Sequence, residues 1–132
     1  MIGIDTNVIV RYVVQDDPVQ SNLAADLIEE SCSARDPGYI PQIVLCELAW
    51  VLRGAYGYSR KQVGDVLRQL MVTESFEIED HSLAWDALGA YFDGKADYAD
   101  CLLCGRNRQR GCLTTFTLDQ KASVLEGFSL LQ

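Results

Sequence analysis

The feature that most constrains this chain is the alternation of short β-branched runs with longer stretches of helical periodicity. Ile2 to Ile4 is apolar and β-branched, and it stops at Asp5-Thr6-Asn7, three residues suited to capping a helix. Val8 to Val14 reads as a short helix ending near Asp16-Asp17-Pro18. Gln20 to Ser31 carries Leu23, Ala24, Leu27 and Ile28 at helical spacing. Asp36-Pro37-Gly38 is a turn, and Tyr39-Ile40 a second strand. A helix from Gln42 to Ala55 is closed by Gly57. Ser59 caps the next helix, whose apolar stripe is Val63, Val66, Leu67 and Leu70. Phe76 to Glu79 alternates like a strand, and His81 to Phe92 reads as helix. Asp97 to Arg110 is a further helix ended by Gly111. A strand over Leu113 to Thr117, a short helix over Asp119 to Leu125 and a strand over Phe128 to Leu131 complete the pattern. Strands alternating with helices predict an α/β fold: a parallel sheet of about five strands sandwiched between helices. With no repeat, linker or low-complexity tract, residues 1–132 are expected to form one domain.

Charge sets a second constraint. The net charge is −8, whereas a surface that holds nucleic acid as a whole is normally basic. Either the chain does not bind nucleic acid, or a bound cation and a local basic patch reverse the sign at one place. No apolar run reaches the roughly 20 residues of a membrane span, and the opening lacks the basic start of an export signal. The expected location is the cytoplasm, with no membrane partner. The five cysteines, an odd number, suit that compartment as free thiols. Cys101-Leu-Leu-Cys104 could be a redox pair or half a zinc site. It falls inside a helix, no second pair exists and the one histidine, His81, lies in another segment, so packing is the expected role.

In an open parallel sheet, ligands bind beyond the carboxyl ends of the strands. Asp5 directly follows the first strand and Asp119 follows the strand ending at Thr117, although each could equally be a helix cap. Asp97 and Asp100 open a helix three residues apart, where acids also complement the helix dipole. Glu47 lies in Ile43-Val-Leu-Cys-Glu-Leu-Ala-Trp-Val-Leu52, otherwise apolar on every side. A helix apolar all round is buried, and a carboxylate there needs a metal or an ion pair, for instance with Arg53 or Arg11. Two like charges 4 Å apart repel by about 4 kcal/mol at an effective dielectric near 20, so converging acids call for a cation. Carboxylates are natural ligands of Mg²⁺ or Mn²⁺, and such sites activate water against phosphodiesters.

Four segments carry a resemblance. Ile4-Asp5-Thr6-Asn7 resembles the opening motif of PIN-domain ribonucleases, and Cys46-Glu47-Leu48 their second acid. Asp97-Tyr98-Ala99-Asp100-Cys101-Leu102-Leu103 is similar to their third-acid segment, and Thr117-Leu118-Asp119-Gln120-Lys121 to the fourth. The closest subgroup is the VapC-type toxins of toxin–antitoxin pairs. The resemblance implies RNA cleavage with Mg²⁺ or Mn²⁺, a homodimer and a neutralising antitoxin peptide. It implies Asp5, Asp100 and Asp119 as metal ligands, with Glu47 as a further ligand or the group orienting the water. Thr6, Asn7 and Thr117 are expected to brace these carboxylates, while the role of Asp97 is not fixed by the motif.

Basic residues stand at two places. Arg53, Arg60 and Lys61 flank the turn after the Glu47 helix and are candidate RNA contacts. Arg106, Arg108 and Arg110 lie along the Asp100 helix. Either set could be a solvated face. Tyr56 and Tyr58 could stack on bases or serve the dimer. An antitoxin peptide is expected in a groove supplied by the Val8–Val14 and Val63–Leu70 helices. The rival readings are a receiver or phosphatase of the aspartyl-phosphate kind, and a catalytically inactive PIN-fold module that binds RNA or protein. Receivers want paired acids after the first strand, and Asp5 has no adjacent acid.

Overall fold

A computed structural model describes residues 1–132 as seven helices and five strands in two compact units, Met1–His81 and Ser82–Gln132. In the first unit come β1 (Ile2–Gly3), α1 (Thr6–Val14), α2 (Pro18–Ser31), β2 (Gly38–Ile40), α3 (Gln42–Gly54), α4 (Arg60–Val72) and β3 (Phe76–Ile78). From the unit boundary onward come α5 (His81–Asp93), α6 (Tyr98–Arg110), β4 (Thr115–Thr117), α7 (Gln120–Ser123) and β5 (Phe128–Leu130). No helix is long and apolar enough to cross a membrane.

The α/β class and the parallel pairing are as expected, but hydrogen bonding groups the five strands as three and two. The first sheet runs β1-β2-β3, with Gly3 opposite Tyr39 and Tyr39 opposite Glu77. The second pairs β4 with β5, Phe116 facing Ser129. Burial alternates along β2 and β3 because successive side chains leave opposite faces. Ile40, Phe76 and Ile78 go into the core, while Glu77 is exposed.

Local chemistry sets the helix ends. Asp17 caps α2 by accepting from the Gln20 amide at 3.1 Å, and Pro18 occupies its first turn. The helix therefore starts two residues before the Gln20 start expected from the sequence, since Pro needs no amide partner there. Ser59 and Gln62 form a reciprocal capping box at the start of α4, at 3.1 and 2.9 Å. Gly111 closes α6 at φ 102°, a conformation that only glycine adopts without strain. Ser59→Ala should cost about 1 kcal/mol, read as a fall in the urea midpoint at unchanged slope. An unchanged midpoint would show that α4 is held by packing alone.

Each unit has its own apolar centre. In the first, Ile9, Leu45, Leu48, Leu52 and Leu67 are fully buried. In the second, the Tyr98 ring packs edge-on against Tyr91 with centroids 6.3 Å apart, and its hydroxyl donates to the Ala84 carbonyl at 3.0 Å. Cys104 packs with Ala122 and Phe128, and its thiol donates to the Glu126 carbonyl at 3.2 Å. Cys101 is buried too, and all five cysteines are free thiols, in keeping with the packing expected for this pair.

Candidate active site

Within the first unit, Asp5 leaves β1 and becomes the cap of α1, its Oδ1 accepting from the Thr6 amide at 2.8 Å. Thr6 is buried, and its hydroxyl donates to Glu47 Oε1 on α3 at 3.3 Å. One threonine thus touches both candidate site acids of this unit, backbone to Asp5 and side chain to Glu47. Asn7 is exposed beside them.

The environment of Glu47 corrects the expectation of a buried carboxylate. Glu47 is exposed, and Ile43 and Trp50, 67% and 57% exposed, share its side of α3. The core takes Leu45, Leu48 and Leu52 instead. An all-apolar run does not reveal which side will be covered. The alternative of an ion pair also fails. The Arg11 guanidinium donates to Asp16 at 2.8 Å and Gln20 at 2.7 Å, and Arg53 reaches the Tyr58 carbonyl at 3.5 Å.

Within the second unit, Asp97 stands at the N-cap of α6 without a side-chain capping bond, and Asp100 sits in the first turn. Asp119 caps α7 through the Lys121 amide at 2.9 Å, and Thr117 Oγ1 accepts from the Asp119 amide at 3.0 Å. Thr117 thus braces the Asp119 backbone, not its carboxylate. Partial burial pushes the Asp100 carboxyl above its usual range, and the negative charges of Asp97 and Asp119 push it further. No hydrogen bond is among the influences that set its protonation. A half-buried carboxylate with two acids nearby is relieved either by taking up a proton or by a hard cation. In neither unit do three or more acidic, His or Cys side chains stand close enough to hold an ion by themselves.

The other expected residues fall variously. Lys61 is engaged by Asp65 one turn on, at 2.9 Å, and Arg53 is exposed. Tyr56 accepts from Arg11 at 3.4 Å and lines a groove of about 700 Å³ between α1, α2 and α3, with Leu23, Leu27 and Val51. Of the two helices expected to supply such a groove, α1 lines it, and α2 and α3 stand where α4 was expected. Val63, Leu67 and Leu70 are buried in the core, which leaves only Val66 of the α4 stripe partly exposed. The exposed Leu23 and Leu27 were legible as part of the α2 stripe but not as its uncovered part.

The family model for the PIN domain matches residues 2–126, a span that runs through both units. No curated protein matches the chain.

Proposed function

Because the chain belongs to the PIN-domain family, whose fold is in general that of metal-dependent nucleases, we propose that it is an endoribonuclease acting through the carboxylates of Asp5, Glu47, Asp100 and Asp119. The observation that carries this reading is Asp100: half-buried and raised in pKa by burial and by the charges of Asp97 and Asp119. Asp5, Asp100 and Asp119 would hold Mg²⁺ or Mn²⁺, and Glu47 would hold it too or orient the attacking water. Bound there, the ion would lower the pKa of a water and offset charge on the scissile phosphate. The chain's own part is positioning. Capping bonds fix the Asp5 and Asp119 carboxylates against their helix ends, and the Thr6 hydroxyl fixes Glu47.

A cation that binds only the folded chain stabilises it by about 2.7 kcal/mol at a hundredfold excess over its Kd. Mn²⁺ should therefore raise the melting temperature of the wild-type protein. The rise should vanish when Asp5, Asp100 and Asp119 are all changed to Asn, and an equal rise in that variant would place the ion elsewhere.

The same reading extends to a toxin of a toxin–antitoxin pair, working in the cytoplasm as a homodimer. The groove beside Arg11 and Tyr56 supports a peptide partner, being apolar with a polar edge. The exposed Ile43 and Trp50 on α3 support a second copy of the chain as another partner.

A further inference from the structure

Residues 101–118 contain three arginines and no acid, within a chain of net charge −8. Most of the negative excess lies elsewhere, the first unit holding thirteen of the nineteen acids and six of the eleven basic residues. The acid-free stretch begins just after Asp100 and includes the rest of α6.

The faces of α6 can be assigned from its period and its burial. Tyr98, Cys101, Leu102 and Cys104 go into the core. Residues three and four apart share a face, so Leu103, Arg106, Asn107 and Arg110 form a stripe on the other side, continuous with Asp100. Leu103 is 46% exposed, and Arg106 and Arg110 are exposed as well. Asn107 is pinned by a bond from its side-chain amide to Thr115 Oγ1 at 2.8 Å, which ties the stripe to β4. Arg106, Asn107, Gln109 and Arg110 border a concavity of about 350 Å³. Arg108 projects from another side, toward Glu126 at 3.8 Å. The rise of 1.5 Å per residue puts Arg110 about 15 Å along the axis from Asp100.

We propose that this stripe is a binding track for single-stranded RNA, with Arg106 and Arg110 taking backbone phosphates and Leu103 lying against a base or sugar. The proposal rests on the nuclease reading only in taking Asp100 as the place where the track begins. Arginine at the end of a helix also complements its dipole, but that effect asks nothing of Leu103 and falls off within the last turn. A strand of regularly spaced negative charges with apolar faces between them matches a row of cations with an apolar side chain between them and the acid. The guanidinium plane suits phosphate oxygens in pairs.

The test measures binding of a fluorescein-labelled oligouridine in EDTA across a salt series, so that cleavage does not intervene. Each phosphate contact on a single strand contributes about 0.7 to the slope of log affinity against log salt. The combined Arg106→Ala, Arg110→Ala variant should lose about 1.4 of that slope, and bind about tenfold more weakly near 0.1 M salt. Arg68→Ala, an exposed arginine on α4, removes charge away from the track and should change neither value. An unchanged slope in the double variant overturns the proposal, as does a wild-type protein that does not bind the oligouridine. Polyglutamate bound as tightly as the RNA would overturn the choice of RNA. Cleavage of a dinucleotide in Mn²⁺ tests the nuclease reading separately. If the protein cleaves it but the double variant keeps its oligouridine slope, the track fails and the nuclease stands. If the slope falls but nothing is cleaved, the reverse holds.

Discussion

Asp100→Asn and Asp5→Asn are each expected to reduce metal-dependent RNA cleavage by more than about 100-fold, beyond the 10–100-fold typical of residues that only support a ligand. The fold should survive both changes. Asn is as good a helix cap as Asp, so the bond from the Thr6 amide at 2.8 Å is kept in the Asp5 variant. Asn has nearly the shape of Asp, so the first turn of α6 is kept in the Asp100 variant. Cleavage of a labelled RNA in Mn²⁺ reads the effect, and wild-type rates in both variants would remove these acids from the mechanism.

The Asp100 variant carries a second signature, with a definite sign. In the folded chain the Asp100 carboxyl holds its proton more tightly than in the unfolded chain, through partial burial and then Asp97 and Asp119. Its contribution to stability is therefore favourable at low pH and is lost as pH rises through the carboxylate range and beyond. In EDTA at neutral pH, Asp100→Asn should melt higher than wild type, and the gain should shrink as pH falls and the wild-type group takes up its proton. A gain that persists at low pH would locate the cause in packing.

The largest expected effect on stability is at Tyr98. It is 1% exposed, packs edge-on against Tyr91 and donates to the Ala84 carbonyl. Tyr98→Ala should cost about 3–5 kcal/mol, as large aromatic deletions do when the surroundings cannot collapse. Tyr98→Phe keeps the ring and loses only the hydroxyl, leaving a buried carbonyl without its donor at a cost of about 1–3 kcal/mol. Urea unfolding of the two variants separates packing from hydrogen bonding. Equal losses would mean that the hydroxyl carries the whole effect.

Much of this arrangement was legible in advance, because it is set by residues near one another along the chain. Asp5, Asp17 and Ser59 cap helices through amides one to three residues away. Gly111 ends α6 through its own backbone freedom. Chemistry of this range depends on the local sequence and little else, so strands, helices and their ends fall close to where spacing and caps place them. The acids at the ends of β1 and β4 are legible for the same reason, since a turn after a strand puts its first polar residues at the edge of the sheet.

Burial followed a different rule. The α3 run from Ile43 to Leu52 is apolar on all sides but one, and nothing in it distinguishes Leu48, fully buried, from Trp50, more than half exposed. Which side is covered depends on β-strands and helices distant in the chain, so Glu47 is an exposed acid held by Thr6 and not a carboxylate sunk in the core. The division of the strands into three and two is likewise a matter of pairing between distant segments. So is the placing of the groove between α1, α2 and α3, with most of the α4 stripe used up by the core. The sequence by itself determined the order of the elements, their caps and the set of acids. The tertiary structure alone decided which apolar faces were spent on the core and which were left for partners, because periodicity marks a face as apolar and only a neighbour can bury it.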